Sequence, residues 1–157
     1  LLIIFDLDDT LFPRLPDNYT DEDLHILQLF PTARSLLEYP DNLKKVLVTK
    51  GDPEFQMAKI NILNISHLFE AIFVCSADEE KKECFRSISE NFPDDEIWVF
   101  GDRIDSEIRY GNELGLKTIH LRQGKYKHLK ARNTVEIPAY EIIVFSDIWK
   151  VLGLQTL

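Results

Sequence analysis

Five short runs rich in apolar and β-branched residues recur along the chain: Leu2 to Phe5, Val46 to Thr49, Ala71 to Cys75, Ile97 to Phe100 and Thr118 to Leu121. A weaker sixth lies at Ile142 to Phe145. They read as buried strands. Between them are stretches with helical character, roughly Asp21 to Glu38, Pro53 to Leu63, Glu80 to Asn91 and Asp105 to Leu114. Strand and helix in alternation imply right-handed crossovers and a mostly parallel central sheet of about five to six strands, covered on both faces: an α/β fold in three layers. At 157 residues the chain has the size of one such unit, so a single domain over 1–157 is expected.

Local signals support the helices one by one. Thr20 precedes the acidic turn Asp21-Glu22-Asp23, a suitable N-cap with charges that favour the helix dipole. Asp52 before Pro53 fits an N-cap with proline at the first helical position. Gly115 is a suitable stop after Leu114. Phe12 to Tyr19, with two prolines, reads as a loop.

Composition narrows the class. No segment has the apolar length needed to cross a bilayer, and Leu1 to Phe5 is too short for a signal-peptide core. Cys75 and Cys84 are too few for a disulfide framework and lack metal-binding companions; both read as small hydrophobes, and a reducing cytoplasm is the expected compartment. The formal net charge of −9 argues against broad nucleic-acid binding, which rests on neutralised phosphates. An anionic substrate would need a local positive site.

In an open parallel sheet, ligands bind outside the carboxyl ends of the strands. After the first strand come Asp6, Asp8 and Thr10; after the second Thr49, Lys50 and Gly51; after the fourth Gly101, Asp102, Asp105 and Glu107. Residues i and i+2 of an extended chain face one side, so Asp6 and Asp8 can address one ligand. One carboxylate can attack phosphorus while the other protonates the leaving oxygen and later deprotonates water. Clustered carboxylates repel each other, and oxygen-only ligands fit Mg2+.

The ordered set DLDDT (Asp6 to Thr10), Thr49 ending VLVT, a lysine at a helix start (EKKECF) and GDRIDSEI resembles the haloacid dehalogenase (HAD) superfamily of hydrolases, in its phosphatase form. DxDxT alone would be weak; four motifs in order, from Asp6 to Glu107, are specific. The resemblance implies a Rossmann-like HAD fold and a Mg2+-dependent phosphomonoester hydrolase, with Asp6 as nucleophile and Asp8 as acid/base. It also implies metal ligation by Asp6, Asp102, the Asp8 carbonyl and Glu107, with Asp105 the lesser choice. Thr49 and Lys81 would hold the phosphoryl group; Lys82 is not separable from Lys81 by sequence. Thr10, Lys50 and Gly51 are further substrate-side candidates. Expected substrates are phosphorylated small molecules or phosphoproteins.

The remaining features have plainer readings. Asp9 is expected to form a turn. His25, His67, His120 and His128 have no ligand spacing, and Trp98 and Trp149 read as core. The basic stretch Lys117 to Arg132 has a solvated loop as its default reading, but Arg122 and Lys125 follow the fifth strand and could meet an anionic part of the substrate. At most a minimal cap fits within 12–42, which leaves an open site unless a second copy of the chain covers it. The competing class is a phosphate-binding or phospho-accepting regulatory module with little turnover.

Overall fold

The computed structural model describes residues 1–40 and 42–156. Six strands, β1 (Leu2–Phe5), β2 (Lys44–Lys50), β3 (Ala71–Cys75), β4 (Ile97–Gly101), β5 (Lys117–Leu121) and β6 (Tyr140–Ile142), form one sheet in the order β3-β2-β1-β4-β5-β6. Every pairing is parallel. The order reverses at β1, whose neighbours β2 and β4 start crossovers in opposite directions; this is the switch point where a crevice opens beyond the strand ends.

Alternation along β1 builds both halves of the core. Ile3 and Phe5 join Leu47, Phe100 and Ile119 on one face, covered by Leu36 of α1 (Ala33–Leu37), Ile60 of α2 (Pro53–Ile62) and Ile148 of α5 (Ile148–Leu152). Leu2 and Ile4 join Val46, Val48 and Val99 on the other, covered by Phe85 and Ile88 of α3 (Asp78–Asn91) and Tyr110 of α4 (Arg109–Glu113). Phe100 meets Phe5 and Phe145 edge-on, with centroids 5.9 and 5.5 Å apart, and truncating it to alanine would cost about 3–5 kcal/mol.

Several boundaries differ from the sequence reading. The expected helix from Asp21 to Glu38 is instead a 3-10 segment, Asp21–Ile26, an irregular stretch and the short α1. Pro31 explains the break, because it lacks an N–H and disfavours helical backbone at Phe30; Thr32 then takes a positive φ of 68°. Asp23 still accepts the Thr20 N–H at 2.7 Å, and Asp52 caps α2 through the Phe55 N–H at 3.2 Å. The expected sixth strand shifts to Tyr140–Ile142: Ile143 and Val144 are exposed, and Phe145 turns inward to the core. The Asp105 to Leu114 helix splits into a π-helical turn, Ile104–Ile108, followed by α4.

Leu11, Phe12, Leu15, Leu24 and Leu27 pack into the same core as the sheet.

Candidate active site

The backbone leaves β1 by pairing the Asp6 N–H with the Phe100 carbonyl at 3.0 Å, then turns tightly through Asp9 at φ +60°, a conformation aspartate tolerates. This turn sets Asp6 and Asp8 on the wall of a cleft at the carboxyl edge of the sheet. Thr49 and Lys50 reach it from the end of β2, Lys81 from α3, and Asp102 and Glu107 from beyond β4.

Glu107 reaches the cleft by crossing Gly101. A Cβ on Gly101 would stand 2.6 Å from Glu107 Cγ, so only glycine leaves that path open. The π-helical turn carries Glu107, and such single turns often mark functional sites.

Charges in the cleft are matched unevenly. Buried Lys81 donates to Asp6 Oδ1 at 3.0 Å and to Glu107 Oε1, while the Thr10 hydroxyl donates to Asp6 Oδ2 at 3.1 Å. Burial alone would raise the Asp6 carboxyl, but the Lys81 ammonium and hydrogen bonds outweigh it and hold the pKa below its ordinary value. Burial opposes the Lys81 charge too, yet Asp6 and Glu107 lift its pKa above the usual lysine value. Burial also raises the Glu107 carboxyl, against the pull of Lys81.

Asp102 is different: it is fully buried and neither carboxylate oxygen has a hydrogen-bond partner. Burial, then the charges of Asp6 and Glu107, push its carboxyl well above the ordinary range. One oxygen from each of Asp6, Asp102 and Glu107 lies within 4.8 Å of the others. An orphaned buried carboxylate beside two more, all hard oxygen donors, fits a divalent cation such as Mg2+.

The chain is similar to known hydrolases. A family model described as HAD-hydrolase-like matches residues 78–149. The glyceraldehyde 3-phosphate phosphatase of Methanopyrus kandleri is 29% identical over 120 residues, 73% of this chain and 50% of that protein. Its namesake from Pyrococcus furiosus is 32% identical over 89 residues, 53% of this chain and 37% of that protein. Over these residues the chain is similar to HAD-type hydrolases. It spans about half the length of the first of these relatives. In fold it is similar to the D,D-heptose 1,7-bisphosphate phosphatase of B. bronchiseptica, complexed with magnesium and phosphate, with a TM-score of 0.74 over 97% of each chain at 14% identity.

The structure separates the candidates that share the cleft from those that do not. Asp6, Asp8, Thr49, Lys50, Lys81, Asp102 and Glu107 line it together. Lys82 does not: it pairs with Glu113 of α4 at 2.7 Å. Thr10 is buried beneath Asp6 and orients that carboxylate. The Gly51 N–H is spent on the Cys75 carbonyl at 3.0 Å, which takes it away from any ligand. Arg122 pairs with Glu141 at 3.3 Å, beside the outer strand pair β5 and β6. Asp105 is bound by Arg103 at 3.1 Å. His120 sits behind the site, where its Nε2 donates to the Asp102 carbonyl at 3.0 Å.

Two residues that sequence reasoning did not single out hold Asp8. Lys59 Nζ lies 2.8 Å from Asp8 Oδ1, and Gln56 Nε2 lies 3.0 Å from Asp8 Oδ2. Gln56 also donates to Thr49 Oγ1 at 2.7 Å, so the Thr49 hydroxyl hydrogen is free for another acceptor. Both come from α2 at an i, i+3 spacing, which was a readable signal that they share one face. Arg14, Asp78, Arg103 and Tyr126 complete the lining.

Proposed function

We infer that the chain is a Mg2+-dependent phosphatase that hydrolyses phosphomonoesters of small molecules through an aspartyl-phosphate on Asp6. The observation that carries this reading is the unpartnered Asp102 carboxylate beside Asp6, with Asp8, Thr49 and Lys81 on the same cleft. The named activity of the archaeal relatives supports it.

An Asp6 oxygen would attack phosphorus, and the ester oxygen would leave with a proton from Asp8. Asp8 would then take a proton from water, whose oxygen attacks the aspartyl-phosphate, releasing phosphate and restoring the Asp6 carboxylate. Lys81 and Thr10 hold Asp6 in one orientation, and Lys59 and Gln56 do the same for Asp8. Lys81 and the Thr49 hydroxyl supply fixed donors to the phosphoryl oxygens, where charge builds in the transition state. Asp6 and Asp102, with Glu107 close by and the Asp8 carbonyl, would hold the cation; when bound, it supplies positive charge that offsets the phosphate against the carboxylates.

Turnover of p-nitrophenyl phosphate in Mg2+, abolished by Asp6→Asn, is the expected result. No turnover of any phosphoester by folded, Mg2+-loaded protein would refute the reading and favour a phosphate-binding module instead.

A further inference from the structure

We propose that Arg14 and Tyr126 form a second anion site at the mouth of the cleft, and that the preferred substrates are small phosphomonoesters carrying another anionic group, a carboxylate or a second phosphate. The proposal rests on the phosphatase reading above and extends it to the far end of the substrate.

The cations lining the cleft are not equally available. Lys81 is committed to Asp6 and Glu107, and Lys50 to Asp78 at 3.3 Å. Arg103 spends Nε and Nη2 on Asp105 and Nη1 on Asp78. Arg14 differs. Its backbone N–H and its Nε both donate to Asp9, at 2.8 and 3.1 Å, and neither Nη group has a hydrogen-bond partner among the described residues. The guanidinium is therefore fixed through one edge, with the terminal nitrogens left for a ligand. A guanidinium edge matches carboxylate or phosphate oxygens. Arg14 bonds to neither Asp6 nor Glu107, so it does not duplicate Lys81, which is assigned to the phosphoryl group.

Tyr126 is built into the same place. Its ring lies 4.5 Å from the Arg103 guanidinium carbon and 5.5 Å from that of Arg14, which stiffens the two arginines around it. The turn that delivers Tyr126 is clamped by the same carboxylate that fixes Arg14: the Lys125 N–H donates to Asp9 Oδ2 at 3.1 Å. Gly124, at φ +75°, leaves room for Asp9 where a Cβ would come within 2.2 Å of its carboxyl carbon. Asp9 thus joins the loop after β1 to the loop after β5 and holds Arg14 and Tyr126 in register. Of the stretch Lys117 to Arg132 it is Tyr126 that lines the cleft, while Arg122 pairs with Glu141 and Lys125 Nζ lies 3.7 Å from Asp17.

The test compares three-carbon phosphomonoesters of one size: 3-phosphoglycerate, glyceraldehyde 3-phosphate and glycerol 3-phosphate, together with 1,3-propanediol bisphosphate. In the wild type, kcat/KM should favour the carboxylate or the bisphosphate over glycerol 3-phosphate, and the favoured one identifies the second anion. Arg14→Gln should reduce that preference about 10-fold to 100-fold, mostly through KM, as expected for one lost charge-assisted contact. Arg14→Lys should restore part of it. The ratio does not depend on how much of the variant is folded. Equal losses on charged and uncharged esters, or a wild type that prefers the uncharged ones, would overturn the proposal. If no ester is turned over, the phosphatase reading fails separately; calorimetric Kd values for 3-phosphoglycerate and glycerol 3-phosphate then decide the anion site, with equal Kd values in the wild type overturning it.

Discussion

Asp9 is the residue whose removal reports most directly on how the site is assembled. Its carboxylate, buried to 4% side-chain exposure, accepts the backbone N–H groups of Arg14 and Lys125 and the Arg14 Nε. Asp9→Ala strands two partly buried amides, at about 1–3 kcal/mol each, and the low end applies because both can reach water. It removes an ion pair worth up to about 1 kcal/mol and puts alanine at a positive φ that aspartate tolerates better. A loss of about 3 kcal/mol is expected, or roughly 6–12 °C in Tm for a domain of this size. Urea unfolding of Asp9→Ala beside Asp9→Asn measures it, because asparagine keeps one acceptor oxygen and the backbone tolerance and should cost about half as much or less. Gly124→Ala should approach the Asp9→Ala value, since the new Cβ would overlap the Asp9 carboxylate. An Asp9→Ala protein within about 1 kcal/mol of wild type would refute the claim that Asp9 ties the two loops together.

In metal-free protein, the raised Asp102 carboxyl contributes stability that is fullest below its ordinary value of 3.8 and is lost as pH rises through the folded value, opposite in sign to the contribution of the lowered Asp6 carboxyl. The Tm of wild type minus that of Asp102→Asn, measured in chelator, should fall as pH rises, and Asp102→Asn should abolish stabilisation by Mg2+. Lys59→Met leaves the buried Asp8 carboxylate with Gln56 as its hydrogen-bond donor and should cost about 3 kcal/mol in urea unfolding, the lower part of the range for a broken buried pair, since Asp8 retains that donor. Lys82→Ala should keep kcat/KM for p-nitrophenyl phosphate near wild type, whereas Lys81→Ala should lower it by about two orders of magnitude or more, as for a lost transition-state donor.

The fold and half of the site were legible because their signals are local. Buried parallel strands are continuous apolar runs, and the groups at their carboxyl ends are the next residues in the chain, so Asp6, Asp8, Thr49 and Asp102 could be read directly. Lys81 is separated from Lys82 only in the fold, where Lys81, Phe85 and Ile88 are the buried residues of α3. Gln56 and Lys59 escaped because polar residues on a helix are read as solvent-facing, and here they are buried to serve Asp8 and Thr49. The helix expected from Asp21 to Glu38 failed where an apolar pattern was allowed to run through Pro31. Arg14 and Tyr126 lie 112 positions apart and meet through Asp9, a link with no sequence period behind it.

The pairing of charges explains how a buried strand can end in three aspartates. Asp6 and Glu107 share Lys81, Asp8 has Lys59, Asp9 has Arg14, and Asp78 has Lys50 and Arg103. Each pair offsets much of the cost of burying its carboxylate, and the cluster is stable to the extent that the pairing is complete. It is incomplete at two points among the described residues. Asp102 is a buried carboxylate with no donor, and Arg14 is a cation with its outer nitrogens uncommitted. The first defect is the place for a cation and the second for an anion, and both face the cleft that holds Asp6 and Asp8. A ligand set consisting of a divalent metal and a phosphoester with a second negative group would satisfy both at once, while a neutral alcohol phosphate would leave the Arg14 defect open. On the proposal made above, substrate choice follows from Arg14, the cation lining this cleft whose outer nitrogens have no partner among the described residues.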